Sequence, residues 1–343
     1  MRVPQETRRD PDFLSAYLIS GGYLTAALSP FGEQWRKMKR VINQEMLSSP
    51  IHKWLQPKRD EEADRLLMYI FNQIEKQDAI VDGKRFFGQG MEDGGPDEEE
   101  FEHVAALFTI LKHLYAFCIT DYFPWLRGKT DFDGHEKITR TAIETVRKYQ
   151  DPLVDERIQM WSDGTRREKC DMLDVLIELK NPKLTPEEIK AQILELTIAA
   201  IDNPSHAIEC TIGEMIKEPM ILKRAVEELD HVVGRHRLVK EQDIPQLNYI
   251  KACIKEAFRL HPFVPFVPPH VSTMDTTVAG YFIPKGSHVL LSRYGLGRNP
   301  KAWVDPLRFD PDRHICEEGK PVVLSDNDLR MVSFSTGKRG VLE

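Results

Sequence analysis

At 343 residues the chain can bury a sizeable core, as one large domain or two ordinary ones. Its 41% hydrophobic and 29% charged residues are those of a globular protein, and 54 acidic against 47 basic side chains exclude the basic footprint of a general nucleic-acid binder. Cys118, Cys170, Cys210, Cys253 and Cys316 are odd in number and contain no CxxC pair, which argues against a disulfide framework and a zinc site and for a reducing compartment. The first residues hold no signal-peptide core and no apolar run reaches bilayer length, so the chain as written reads as soluble or peripheral.

Along the chain, apolar periodicity predicts helices over 32–48, 58–76, 100–117, 135–162, 185–217, 219–234 and 245–260. Trp35, Arg36, Lys37, Lys39 and Arg40 give the first of these a basic side, which is either a wet helix face or a surface for an anionic ligand. The Gly- and acid-rich stretch 90–100 reads as a solvated loop. Thr185-Pro186-Glu187-Glu188 combines an N-cap threonine, an N1 proline and a capping-box glutamate. Asp243-Ile244-Pro245 is read as a similar helix start.

Within 185–217 stands Ala199-Ala200-Ile201-Asp202-Asn203-Pro204-Ser205-His206. A helical proline cannot donate to the carbonyl four residues back, here Ala200, and its ring crowds that carbonyl. Two readings follow: an opened helix groove lined by Asp202, Asn203 and Ser205 that holds water or a small ligand, or two helices that meet at Pro204. Glu256 and Arg259, i and i+3 on the helix ended by Pro262, read in isolation as a solvated pair contributing about 0.2–0.5 kcal/mol. Residues 278–291 read as strand, turn, strand around Pro284-Lys285-Gly286, and 334–341 as a glycine loop carrying Arg339. No strand–helix alternation or GxGxxG loop suggests a dinucleotide-binding domain.

The order of these features changes their weight. A helix with a central acid, then Glu256-x-x-Arg259, then a proline-rich strand region, then Phe309-Asp310-Pro311-Asp312-Arg313, then Phe334-x-x-Gly337-x-Arg339 resembles the motif order of cytochromes P-450. Asp202-Asn203-Pro204-Ser205, with Ser29-Pro30-Phe31-Gly32, Tyr115-Ala116-Phe117-Cys118, Asp174-Val175-Leu176-Ile177, Leu247-Asn248-Tyr249 and Ser333-Phe334-Ser335-Thr336-Gly337, is similar to the plant aldoxime-forming amino-acid N-monooxygenases. The resemblance implies a mainly α fold with a small β region, a cytochrome P-450 fold that is incomplete, as a single partial domain over 1–343. It implies haem b, an NADPH-cytochrome P-450 reductase as partner, and a small-molecule amino-acid substrate, with no nucleic acid. It also implies the endoplasmic reticulum membrane, cytosolic face, although the chain taken literally carries no anchor and would be cytoplasmic.

The family's reaction hydroxylates the amino nitrogen of an L-amino acid twice and yields the aldoxime after loss of carbon dioxide and water, a step in making cyanogenic glycosides or glucosinolates. By resemblance, Glu256, Arg259 and Arg313 form a buried ion network that braces the loop under the haem. Trp35, Lys39, His270 and Arg339 hold the haem propionates, with Lys39 in place of the usual arginine. Asp202, Asn203 and Ser205 serve oxygen and proton delivery. Phe266 and Val267 lie near substrate, Val267 standing where the family usually has asparagine.

Three departures accompany the resemblance. Val341 occupies the thiolate position, two residues after Arg339, and valine has no lone pair for iron. Cys316 is a remote substitute, and His206 is either a distal ligand or a variant of the family's asparagine. The N-terminal anchor, the segment carrying the cysteine and a helix near Ala79-Ile80-Val81-Asp82 are expected to be absent, leaving exposed apolar faces. Taken literally, such a chain is expected to be inactive.

Overall fold

The computed structural model describes residues 13–75, 98–114, 116–268, 270–315, 320–325 and 330–333. Helices dominate them. In chain order they are α1 (Leu14–Ile19), α2 (Glu33–Val41), α3 (Ser49–Trp54), α4 (Gln56–Glu75), α5 (Glu98–His113), α6 (Ile119–Tyr122), α7 (His135–Ser162), α8 (Met172–Ile177), α9 (Pro186–Lys217), α10 (Pro219–Val232), α11 (Asn248–Leu260) and α12 (Arg293–Gly297). Four short strands follow α11: β1 (His270–Val271), β2 (Thr276–Val278), β3 (Tyr281–Ile283) and β4 (His288–Val289). The loop expected over 90–100 lies largely outside the described residues.

Contacts group the chain into two compact units, one ending at Ile201 and one beginning at Asp202, so the boundary falls inside α9. In the N-terminal unit one core joins Ile19, Leu107, Ile110, Ile143, Val146, Leu194 and Ile198, and a second joins Met38, Val41, Val154, Leu176 and Ile189. The first belongs to α1, α5, α7 and the first half of α9. The second closes over α2, which continues into a π-turn at Ile42–Met46. The C-terminal unit has its own core of Ala225, Tyr249, Cys253, Ala257, Leu260 and Phe309.

α9 starts as its sequence dictates. The Thr185 hydroxyl accepts the Glu188 N–H at 3.2 Å, and the Glu188 carboxylate accepts the Thr185 N–H at 2.9 Å, a complete capping box. Pro204 lies inside the helix, so two helices meeting there are not found. Two other expectations need correction. Asp243-Ile244-Pro245 sits within a 3-10 turn, Glu241–Gln246, and α11 begins only at Asn248. Asp243 is spent on Arg237 and on the Lys240 N–H rather than on capping α11.

The strand–turn–strand around Pro284-Lys285-Gly286 exists, but its two strands pair with different partners. β3 pairs with β2 and β4 pairs with β1, both antiparallel. The tight hairpin is β2–β3, closed by Ala279 and Gly280, both at positive φ (51° and 85°) as a right-twisted two-residue turn demands. Ile208, Ile212 and Ile216, four residues apart on α9, are exposed.

Candidate functional site: a buried ion cluster and a strand ladder

α11 is amphipathic, and Glu256 and Arg259 lie on its buried face with Tyr249, Ala252, Cys253, Ala257 and Leu260. Both charged side chains are 0% exposed, which overturns the reading of a solvated pair. Burying charge is costly unless every donor and acceptor is matched. Here they are. Arg259 Nε donates to Glu256 Oε2 at 2.8 Å and Nη2 to Oε1 at 2.7 Å, the bidentate form. Its remaining donors go to the carbonyls of Gly297, Pro306 and Arg308, so all five N–H groups are used. The Trp303 ring lies 5.3 Å from the guanidinium carbon.

Glu256 also accepts from Arg313 Nε at 3.0 Å, from the Asp310 N–H at 3.0 Å and from His314 Nε2 at 2.7 Å. Burial works to raise the Glu256 carboxyl, but hydrogen bonds from Arg259 and His314 outweigh it and hold the group below its ordinary range. Burial lowers His314 despite the neighbouring carboxylate, so its ring is a neutral N–H donor. The cluster thus ties α11 to residues 297–314. Gly297 is required at that junction, since a Cβ there would stand 2.1 Å from the Arg259 carbonyl oxygen. Sequence reasoning found Glu256, Arg259 and Arg313 and missed His314, which beside Arg313 has no spacing that marks it as buried.

The segment after α11 forms one arm of an antiparallel ribbon. The Arg293 N–H donates to the Pro265 carbonyl at 2.8 Å, Phe266 bridges Ser292, and the Val267 N–H donates to the Leu291 carbonyl at 2.9 Å. His270 then pairs with Val289 and Val271 with His288. Phe266 is 45% exposed and Val267 1%, so of the two expected substrate neighbours Phe266 presents its ring and Val267 is packed inside. The His270 ring bonds the Pro268 carbonyl through Nδ1 at 2.7 Å.

On α9, Asp202 and Ser205 are half-buried and Asn203 is exposed. His206 Nε2 donates to the His261 carbonyl at 3.1 Å, and His261 Nε2 contacts Glu214 Oε1 at 2.9 Å. His206 is therefore a structural donor within the C-terminal unit.

In the N-terminal unit α2 carries Trp35 and Lys39 one turn apart. Trp35 is buried with its ring 5.0 Å from that of Phe31, and burial lowers the Lys39 ammonium below its usual range. α2 is anchored to the first turn of α9, where Glu188 accepts Lys37 Nζ at 2.6 Å and Gln34 Nε2 at 2.8 Å. Arg339 lies outside the described residues, as do Cys316 and Val341. The structure thus brings Glu256, Arg259 and Arg313 together, places Phe266, Val267 and His270 on one ribbon, and carries Trp35 and Lys39 in the other unit.

The chain belongs to the cytochrome P450 family, whose model matches residues 5–340. It is 54% identical to valine N-monooxygenase 1 of Manihot esculenta over 96% of this chain and 64% of that one. It is 50% identical to tyrosine N-monooxygenase of Sorghum bicolor, over 98% of this chain and 65% of that relative. The chain therefore spans just under two thirds of the length of these relatives. A zebra fish cytochrome P450 structure with progesterone superposes at a TM-score of 0.67 with 19% identity, covering 96% of this chain and 75% of that one, which shows the same fold. Family and fold imply haem as cofactor.

Within the C-terminal unit the described residues suit a carboxylate such as a haem propionate at Arg293, whose Nε is sealed with no acceptor. In the N-terminal unit, Lys39 is a cation lowered by burial. Among the described cysteines, Cys118 and Cys253 are buried, and burial pushes the Cys253 thiol up to about 12.

Proposed function

We propose that this chain is the larger part of a plant amino-acid N-monooxygenase that converts an L-amino acid to its aldoxime. The observation that carries the reading is the identity of 48–54% to relatives named as valine, tyrosine, tryptophan or phenylalanine N-monooxygenases, over at least 94% of the chain. Haem, when bound, supplies the oxygen chemistry. The protein's part is to hold the cofactor, orient the amino nitrogen and move protons. Trp35, Lys39, His270 and Arg339 would hold the propionates. The Asp202 carboxyl, Asn203 amide and Ser205 hydroxyl, beside Pro204, would pass protons along the helix. Phe266 would bound the substrate, while Glu256, Arg259 and Arg313 brace the cofactor loop. Electrons would come from an NADPH-cytochrome P-450 reductase at the cytosolic face of the endoplasmic reticulum. Among the described residues no helix is long and apolar enough to cross a membrane.

The test is the chain with haem, reductase, NADPH and oxygen, given L-valine, L-isoleucine, L-tyrosine, L-phenylalanine and L-tryptophan in turn. The oxime of one or more of these is the expected product, detected by mass. Small alcohols in place of oximes would overturn the reading.

Val341 favours a second reading, a relative without catalysis of its own. Restoring the ligand by Val341→Cys separates the two. A thiolate-type Soret band in the reduced carbonyl complex of the unmodified chain would sink the second reading, and its appearance only in the Cys variant would support it.

A further inference from the structure

Three arginines at or near the ion cluster have acceptors. Arg259 and Arg313 bind Glu256, and Arg298 donates twice to the Leu260 carbonyl. Arg293, in the same unit, differs from these three. Its Nε is sealed from solvent, and among the described residues no hydrogen bond or ion pair engages the guanidinium. A half-buried cation without an acceptor is unfavourable, and a planar fork of five donors is shaped for a carboxylate. Its position is equally telling. The Arg293 N–H closes the end of the ribbon on Pro265, next to the Phe266–Ser292 bridge, with Val267 and His270 further along the same ladder.

We propose that Arg293 is a carboxylate-binding residue that receives an anion brought by a ligand rather than by this chain. The proposal deepens the functional reading above and rests on it for the identity of that ligand. The relatives act, by name, on valine, isoleucine, tyrosine, phenylalanine and tryptophan, whose side chains differ and whose α-carboxylate is shared. A guanidinium fork suits that shared carboxylate. Haem brings the same chemistry in its propionates, and the ribbon carries both the expected substrate neighbours and His270. Burial also lowers Arg293 from the ordinary arginine range, consistent with a fork that lacks its anion.

The experiment compares each carboxylate with its blocked counterpart on the parent chain, Arg293→Met and Arg293→Lys. Calorimetry measures L-valine against isobutylamine and L-phenylalanine against phenethylamine. Tryptophan fluorescence quenching measures haem against haem dimethyl ester. Arg293→Met is expected to weaken one carboxylate-bearing ligand roughly tenfold or more, leave its blocked counterpart unchanged, and keep the parent's unfolding midpoint within a few degrees. Arg293→Lys should recover part of the loss. Loss confined to the amino acids assigns the fork to substrate, and loss confined to haem assigns it to a propionate. Unchanged affinity for every carboxylate in both variants overturns the proposal, as does equal weakening of the blocked ligands. If the parent binds no amino acid, the aldoxime reading fails, and the haem arm alone decides on Arg293.

Discussion

Two buried carboxylates, one in each unit, solve the same problem differently. Glu256 is enclosed on all sides: its own side chain and that of Arg259 are 0% exposed, with Arg313 and His314 nearly so. Asp174, on α8, is also 0% exposed, but its partners Arg157 and Arg166 are 24% and 19% exposed, with Trp161 Nε1 at 2.9 Å and the Cys170 N–H at 2.8 Å as further donors. Both carboxyls are held below their ordinary range, although burial works to raise each one. Hydrogen bonds, those from arginine first among them, prevail in both cases. The difference lies in what happens when the carboxylate is lost. Around Asp174 the arginines can turn to water. Around Glu256 they cannot, because Arg259 is locked against three backbone carbonyls. The first cluster is a clasp between α7 and α8, whereas the second is a keystone for everything from Gly297 to His314.

The largest effect is therefore expected at Glu256. Glu256→Ala strands two guanidinium groups and should cost about 3–5 kcal/mol, read as a lower midpoint in urea. Asp174→Ala should cost less, roughly 1.5–3 kcal/mol, since its partners regain water. An equal or larger loss at Asp174 would break the comparison. Gly297→Ala forces a backbone shift against the Arg259 carbonyl, and about 1–3 kcal/mol of destabilisation is expected. A double-mutant cycle with Glu256→Ala should be strongly non-additive, because both changes disturb one junction.

Acid sharpens the contrast further. Glu256 and Asp174 have folded pKa values below their ordinary 4.5 and 3.8, so each contributes stability above those values that is lost as pH falls through the lowered folded ones. His314 adds an earlier limb. It is lowered from 6.5, so the unfolded chain takes up its proton first and stability falls as pH drops below about 6.5. Denaturant midpoints between pH 7 and 5 should therefore fall less steeply in His314→Gln than in the parent. A parallel decline in both would remove His314 from the account. The smallest effect is expected at Thr185→Ala, about 1 kcal/mol for half of the α9 capping box, measured as a shift in thermal midpoint.

The positions of most helices were legible in the chain, because apolar spacing and caps are local: α7 and α9 fall within a residue of their expected limits. The Glu256–Arg259 spacing was legible too, but its meaning was not. An i, i+3 ion pair looks alike whether wet or buried, and only its order with Pro204, Arg313 and Arg339 gave it weight. The start of α11 was misplaced because Asp243, a good cap by type, is drawn away by Arg237, and that competition depends on a neighbouring loop.

By itself, then, the sequence determined the helical class and the family, since periodicity and motif order survive without coordinates. Only the tertiary structure decided that β3 and β4 pair apart, that His314 joins the ion cluster, that Val267 is sealed while Phe266 is not, and that Arg293 keeps an open fork. Those outcomes turn on which groups distant in the chain meet and which are removed from water. Burial and partner matching are properties of the packed whole, and no local spacing encodes them.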